Sequence, residues 1–271
     1  MEAFNRSNAM TPDNQPAWLG LFPDQDFEFR FGVRPGDAAA FFADTSEHDT
    51  LMAGRRAALD EAPAQYLFEE SSAAKAVAEC SEWAGLDGGT CRELALHWEP
   101  DFLILLPDEN GRFVFRAGAV CFPSSWRPEE KIGLPVHAIH SPVPTLNENL
   151  GARIDKFLAN LEPGRAWERS NWGLSRSPKL NQHPTRDIPH LTPPFADTEA
   201  WIRIEDQVLC RLPQTRALLF GIRLVNVSLA ELKKFPEAQA GLHRAIATMP
   251  EEVADYKNVT AARGHLLELL G

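Results

Sequence analysis

The chain has 271 residues, of which 44% are apolar and 24% are charged, a composition typical of a globular protein of one large domain or two small ones. The formal net charge of -11 argues against a general nucleic-acid binder, because phosphate binding needs a basic face. An acidic surface serves solubility, and it also suits a cationic small substrate or a basic redox partner.

Cysteine usage and the N-terminal sequence indicate the compartment. No CxxC pair occurs among the four cysteines, so we expect reduced thiols rather than a zinc site or a disulfide framework. The chain has neither a basic-then-apolar leader nor an apolar run of the roughly 18 residues that a membrane span needs. These features predict a cytoplasmic protein that does not contact a membrane, with a loose, polar segment over residues 1–20.

The first half of the chain predicts a strand, two helices and a hairpin. The stretch DFEFRFGV (26–33) alternates Phe27, Phe29 and Phe31 with polar residues, as a half-buried strand does. Helices are predicted over 48–63 and 71–86. Strands 102–106 and 113–121 flank Asn110-Gly111, a pair that favours a hairpin turn because both residues tolerate positive φ.

The second half predicts further strands, a long loop and a helical tail. Pro142 and Pro144 favour an extended conformation over 131–146. A helix follows over 145–161, with Thr145 and Glu148 as its capping box. The other predictions are an extended segment over 168–177, a surface loop over 178–198, strands over 201–213 and 217–227, and helices over 236–248, 250–256 and 259–270. Because strands pair by hairpins and helices do not alternate with them, the fold class is predicted to be α+β with an antiparallel sheet.

Several common catalytic motifs are absent from the sequence. The chain has no GxGxxG after a strand, no Walker loop, no GxSxG elbow and no HExxH. Chemistry based on a nucleotide held by this chain alone is therefore not expected. Any electrons for a redox reaction would have to come from another protein.

Two histidines three residues apart, His137 and His140, lie in the proline-pinned segment. In an extended segment they would point to opposite faces, so they would not share one metal. One imidazole would then face inward and could serve as an axial ligand to haem iron. The alternative is a histidine bonded to backbone carbonyls in a turn.

A row of polar residues marks the strand over 201–213. Alternation places Arg203, Glu205, Gln207 and Arg211 on one face. This face is either solvated or lines a polar cavity in which arginines bind carboxylates, such as haem propionates. Glu205 between two arginines would stay ionised and could accept a proton or hold an amine cation. A further polar group, Arg169, precedes Asn171 and Trp172 in ERSNWGL.

Taken in order, these stretches resemble a known family. The stretches that carry the resemblance are AGAVCFPSSW, KIG followed by IHSPVP, RSNW, and IEDQVLCRLP followed by LLFGIR. Over roughly residues 20–235, the chain resembles the alpha subunit of haem-dependent oxidative N-demethylase. The resemblance implies a PAS-like domain, here residues 21–235, that binds haem b and uses dioxygen. Residues 236–271 are then expected to form helices that pack on the same domain.

The resemblance also implies an activity and a partner. Family members carry out oxidative N-demethylation of small alkylamines such as dimethylamine, which gives formaldehyde. A separate reductase subunit with flavin and an iron–sulfur cluster supplies electrons, in agreement with the missing nucleotide motifs. The alternatives are a haem-sensing, gas-sensing or small-molecule-binding PAS-like module without catalysis, and a member that has lost haem and keeps a structural role.

Site residues are carried over from the family by position. The histidine of the family's IHxPVP motif falls on His140, which becomes the expected axial ligand of the haem iron. Arg169 and Glu205 are expected near the oxygen-binding face as catalytic residues, and Arg203 and Arg211 are expected to bind propionates. The chain departs from the family at Asp206, where an arginine is usual, and this change beside the expected site bears on substrate identity.

Overall fold

A seven-stranded antiparallel sheet forms the centre of the protein in the computed structural model, which describes residues 16–271. Its strands are β1 (Arg34–Gly36), β2 (Leu67–Glu69), β3 (Asp101–Pro107), β4 (Phe113–Ala119), β5 (Ala166–Ser175), β6 (Trp201–Arg211) and β7 (Leu218–Ser228). They lie in the order β1-β5-β6-β7-β3-β4-β2, and every neighbouring pair is antiparallel. The predicted α+β class with an antiparallel sheet is confirmed.

Eleven α-helices lie among the described residues. They are α1 (Ala38–Phe42), α2 (His48–Glu61), α3 (Pro63–Tyr66), α4 (Ala74–Trp83), α5 (Cys91–Ala95), α6 (Val136–Ile139), α7 (Ala152–Asn160), α8 (Leu229–Leu232), α9 (Pro236–Thr248), α10 (Glu251–Tyr256) and α11 (Arg263–Leu270). A π-helical turn, Asn147–Gly151, precedes α7. Short 3-10 helices occur at Ala17–Leu21, Ser71–Ala73, Pro128–Glu130, Pro184–Arg186, Asp197–Glu199 and Thr260–Ala262.

The predicted hairpins form because local turn chemistry and strand alternation agree. Between β3 and β4, Gly111 takes a positive φ of 76° while Asn110 does not. The Asp108 carboxylate there accepts the backbone N–H groups of Asn110 and Arg112 at 2.8 and 2.9 Å. Strands β6 and β7 pair along their whole length, from Trp201 opposite Ser228 to Arg211 opposite Leu218.

One face of the sheet, here called the Ile204 face, is covered by helices. One cluster of buried residues joins the face to the helices of the first hundred residues and includes Leu59, Val77, Leu94 and Ile104. A second cluster joins Ile202, Ile204 and Val227 to the C-terminal helices through Leu229, Leu242 and Leu266. Burial of these side chains on one side of the strands is the main favourable contribution to folding.

The opposite face, here called the Glu205 face, carries the third apolar cluster. Phe115, Leu103 and Ile222 are buried there, against Leu158 and Leu161 at the end of α7. Many apolar side chains around these are only partly buried, and they come from the segment that contains α6 and α7 and from the adjacent strands: Trp126, Ile132, Val136, Ile139, Ile154, Phe157, Trp167, Leu209, Phe220 and Leu224. The apolar surface of this face is thus covered less completely than that of the Ile204 face.

The strand predicted over 26–33 is wrong. This stretch runs without strand pairing, and the short β1 begins only at Arg34. Phe27 and Phe29 pack on the small cluster formed by Met249, Val253 and Ala254. The alternation therefore reflects contact with the C-terminal helices rather than membership of the sheet.

The segment around the two histidines is helical where an extended chain was predicted. Val136–Ile139 forms α6, and the backbone N–H of His140 donates to the Val136 carbonyl at 3.0 Å. The capping box of Thr145 and Glu148 is also wrong, because Thr145 adopts a φ of 58° and no side chain caps the turn that follows. The prolines here end a single helical turn instead of extending the chain.

Residues 178–198 lie less at the surface than predicted. Gln182 and His183 are 2% and 0% exposed. The Gln182 side chain donates to the carbonyls of Ser177 and Lys179, and the His183 ring contacts the Glu129 carboxylate at 3.1 Å. Buried polar side chains require such partners, so these two residues anchor the loop in the interior, whereas most of its other residues are exposed.

The N-terminal prediction falls largely outside the described residues, since these begin at residue 16. Within the remainder, Ala17–Leu21 forms a 3-10 turn and Trp18 is 6% exposed in the C-terminal cluster, so this part is not loose. No helix between residues 16 and 271 has both the length and the apolar character that crossing a membrane requires.

Candidate functional site

The polar end of the Glu205 face is built by the pairing of β5 with β6. Their register sets Gln207 opposite Arg169 and Glu205 opposite Asn171. Cross-strand partners in an antiparallel ladder project to the same face. Arg169, Glu205 and Gln207 therefore share one surface, next to the apolar cluster that contains Ile222.

Glu205 is the carboxylate at the centre of this surface. It is half-buried, and its Oε1 accepts a hydrogen bond from the Ser124 hydroxyl at 2.6 Å. Its Oε2 accepts one from the Gln207 amide at 3.0 Å. Each carboxylate oxygen has two lone pairs, so the group retains acceptor capacity for a ligand.

The guanidinium of Arg203 donates hydrogen bonds to other atoms of the chain. It is 3% exposed, which shows that the solvated-face interpretation of this strand is wrong. Its Nε donates to Ser124 Oγ at 2.7 Å, and its two terminal nitrogens donate to the carbonyls of Phe122, Pro123, Lys179 and Leu180. Burial lowers the pKa of Arg203 to about 10, although the charges of Glu205 and Asp101 oppose this. The geometry gives Arg203 a structural role that ties two loops to β6, and its expected contact with a haem propionate stays a prediction.

Arg169 differs from Arg203 although both are on this face. Its Nε is buried and has no hydrogen-bond partner among the described residues. Burial lowers the pKa of its guanidinium, and the Glu205 charge counteracts this only in part. The Oε1 of Gln207, opposite Arg169 in the ladder, is also buried without a partner in the described part of the chain.

His140 is the third residue of this site with a buried polar atom that lacks a partner, and five other described residues share this property. Its ring is half-buried and its Nδ1 has no partner among the described residues, so the interpretation as a turn histidine bonded to carbonyls is not supported at that atom. Burial, and then the positive charge of Arg169, lowers the pKa of His140 to about 4. The imidazole is consequently neutral at pH 7, as a metal ligand must be. His137, by contrast, is exposed.

The C-terminal helices bring two residues that sequence reasoning missed. The ammonium of Lys257, directly after α10, donates to the Trp172 carbonyl at 2.7 Å and lies 5.2 Å from the centre of that indole ring. Burial lowers the pKa of Lys257 to about 8, against the charge of Glu205. Tyr256 is 44% exposed, and its pKa is raised by burial and by Glu205. A single lysine in a helical tail has no spacing signal that could have identified it.

Arg211 is not part of this group. Its guanidinium donates to the carbonyls of Ala159 and Leu161 at 3.2 Å, at the C-terminal end of α7, and it stacks over Phe113. Six residues of strand separate it from Glu205, a distance of about 20 Å. The structure thus brings His140, Arg169 and Glu205 together and leaves Arg211 at the other end of the strand.

Comparison with known proteins bears on what this arrangement serves. The model of one family, described as haem-dependent oxidative N-demethylase, alpha subunit-like, matches residues 89–267. The match includes every residue placed at the site above, from Ser124 to Lys257, and it extends beyond the 20–235 range of the motifs into the C-terminal helices. The protein therefore belongs to the family of haem-dependent oxidative N-demethylase alpha-subunit-like proteins.

Proposed function

We propose that this protein is the oxygenase subunit of a haem-dependent monooxygenase that removes an N-methyl group from a small amine. The observation that carries the proposal is the convergence of three buried polar atoms, unpartnered among the described residues, on one face: His140 Nδ1, Arg169 Nε and Gln207 Oε1. Buried polar atoms without partners are costly and therefore rare. A ligand that occupies this face would provide the missing partners.

The residues present fit haem. A neutral, half-buried imidazole can serve as an axial ligand, and His140 is the residue we assign to this role. The partly buried apolar side chains around it include Ile139, Phe157 and Phe220, and they offer surface that a porphyrin would cover. We take the cofactor to be haem b and the sheet with its flanking helices to be a PAS-like domain over residues 21–235, to which residues 236–271 are attached.

The overall reaction balances with dioxygen and two electrons. An N-methylamine, dioxygen, two electrons and two protons give the demethylated amine, formaldehyde and water. When bound, the haem supplies oxygen activation, with electrons from a separate flavin and iron–sulfur reductase subunit. Insertion of one oxygen atom into an N-methyl C–H bond gives a carbinolamine, which then breaks its C–N bond. We place this reaction in the cytoplasm.

Residues of the chain itself bind and orient the amine and accept or donate protons. Glu205 is held in place by Ser124 and Gln207, so its carboxylate can pair with the substrate ammonium without reorganising. The same carboxylate can take the carbinolamine hydroxyl proton as the C–N bond breaks, and the departing nitrogen receives a proton. Arg169 provides a fixed positive charge on the same surface.

Absorption spectra of the purified protein, expressed with haem supplied, test this function. We expect a Soret band that shifts on addition of dithionite and CO and that is lost in His140→Ala. His137→Ala is the matched control, since this exposed histidine lies three residues away and should leave the band unchanged. The holoprotein with an electron donor should then release formaldehyde from N-methylamines. A folded protein without a Soret band would contradict the proposal.

A further inference from the structure

The polar end of the Glu205 face carries an excess of positive charge. Arg169, Arg203 and, at the edge of the sheet, Lys257 all feel the charge of Glu205, and Arg203 also feels that of Asp101. The neighbouring acids are engaged elsewhere. Asp206 projects to the opposite face, where the Ser170 hydroxyl donates to it at 2.5 Å, and Asp101 is bound by Arg55 at 2.7 Å. Asp155 acts on His140.

This imbalance disfavours a substrate whose only charge is an ammonium group. Such a substrate would gain from Glu205 and would be repelled by three cations in a surface of reduced dielectric. The family's usual arginine at position 206 is replaced here, but Asp206 does not restore balance because it projects to the other face. The charge of the site therefore favours a ligand that carries an anionic group as well as a cationic one.

Two of the three cations retain unused donors. Arg203 donates from all three nitrogens to the chain itself. Arg169 makes no hydrogen bond to another described residue at its buried Nε. The Lys257 ammonium, which has three N–H donors, donates to the Trp172 carbonyl. Arg169 and Lys257 are thus the available partners for an anionic group.

The geometry points to a substrate that carries both charges: we propose, resting on the function proposed above, that it is an N-methylated amino acid, with its ammonium at Glu205 and its carboxylate at Arg169 and Lys257. Glu205 and Arg169 are diagonal neighbours across the β5–β6 ladder. Such neighbours lie about 7–8 Å apart, with their Cβ atoms somewhat closer, so one small zwitterion can contact both charged side chains. Guanidinium is the side chain best suited to a carboxylate.

A haem propionate is a second source of the same carboxylate chemistry, and the experiment separates the two. The probes are N-methylglycine and dimethylamine, which differ only in that a carboxylate replaces one methyl hydrogen. Each is titrated calorimetrically into the holoprotein, and the Soret band is recorded for every variant. The variants are Arg169→Gln and Lys257→Gln, with Lys75→Gln on the exposed side of α4 as the matched control.

The expected result is that N-methylglycine binds at least about tenfold more tightly than dimethylamine, since it gains a charge-assisted hydrogen bond. Arg169→Gln should bring the ratio of the two dissociation constants, dimethylamine over N-methylglycine, to within about threefold. Lys257→Gln should lower this ratio by a smaller factor. Both variants should keep the Soret band. Lys75→Gln should match the wild type. Because Lys257 lies at the edge of the site, its variant tests the proposal even if Arg169→Gln does not fold.

Two outcomes would overturn this inference. One is equal or tighter binding of dimethylamine by the wild type. The other is loss of the Soret band in Arg169→Gln, which would assign the cation to a propionate. If, in the first case, dimethylamine also releases formaldehyde, the proposed function stands and only the substrate class is overturned. A featureless spectrum with the preference retained would instead overturn the proposed function and support the ligand class.

Discussion

Two buried arginines show how the same side chain serves different purposes. Arg55, on α2, is 0% exposed and donates to the Asp101 carboxylate and to the Glu99 carbonyl. Asp101 also accepts the backbone N–H groups of Cys121 and Phe122, both at 2.9 Å. The Nε atoms of Arg55 and of Arg169, on the Glu205 face, are both buried without a partner in the described part of the chain, so the two residues differ in the carboxylate that Arg55 binds.

The difference teaches that partners, rather than burial, distinguish a structural polar group from one that awaits a ligand. Burial opposes the charge of Arg55, yet Asp101 and Cys121 outweigh it and the pKa of Arg55 is raised. For Arg169 burial prevails and the pKa is lowered. A buried cation that binds a carboxylate stabilises a local arrangement, whereas a buried cation without a bound carboxylate stabilises the bound state of the protein.

The largest expected change in the free energy of unfolding comes from breaking the Arg55–Asp101 ion pair. Asp101→Ala leaves Arg55 as a buried charge without its carboxylate and frees two backbone N–H groups. We expect the free energy of unfolding to fall by about 3–5 kcal/mol, measured by urea denaturation. Asp87→Ala, at an exposed loop position, should change it by less than about 0.5 kcal/mol. A loss below about 1 kcal/mol for Asp101→Ala would remove the contrast between the two arginines.

A smaller effect is expected from protonation of His140. Its pKa is about 4 in the folded chain and 6.5 in the absence of structure. Between these values the unfolded chain binds more protons, so stability rises with pH in this window. The destabilisation is absent above about pH 6.5 and grows to about 2–3 kcal/mol as the pH falls towards 4.

The measurement is the unfolding free energy of the haem-free chain at several pH values between 4 and 7. In His140→Gln, the loss of unfolding free energy between pH 7 and pH 4 should be smaller than in the wild type by about 2–3 kcal/mol. His137→Gln is the control and should follow the wild type, because that ring is exposed. An unchanged slope in His140→Gln would show that the imidazole is not desolvated.

The smallest change in the free energy of unfolding is expected from substitution of Arg169. Arg169→Met removes a buried cation that lacks a partner at Nε among the described residues, so the unfolding free energy of the haem-free chain should stay the same or rise by about 1 kcal/mol. Ligand binding should be lost at the same time. This combination is the usual trade-off between stability and activity at a functional site.

Arg203→Met is the matched comparison for Arg169→Met. It removes a side chain of the same size that donates to the hydroxyl of Ser124 and to four backbone carbonyls. Loss of these partners should lower stability by about 2–4 kcal/mol. Equal damage from the two substitutions would show that Arg169, too, is structural.

The central strands could be predicted from the sequence, whereas the contacts of irregular segments could not. Alternation, interrupted at Asp206, identified β6, because one face of this strand is apolar and buried under helices. The same alternation failed at Phe27 and Phe29, which pack on the C-terminal helices from an unpaired segment. Periodicity reports that one side of a segment is buried, but it does not report what buries it.

The face of the strand on which each site residue lies could be predicted from the sequence, but the hydrogen-bond partners of these residues could not. Alternation placed Arg203, Glu205 and Gln207 on one side of β6, as the structure has them. It could not distinguish Arg203 from Arg169, because the carbonyls that occupy Arg203 come from loops around residues 123 and 180. Lys257 reaches the site from a helix about fifty residues beyond β6 and was not identified.

The strand order has a consequence for how the protein acquires its structure during synthesis. The two longest strands, β6 and β7, lie in the middle of the sheet, yet they are the last two strands to be made. Until both are available, β5 lacks its neighbour β6 and β3 lacks its neighbour β7. Non-local pairing of this kind slows folding. A nascent chain that ends before β6 therefore exposes two incomplete halves of a sheet, which is the stage at which chaperone contact would matter most.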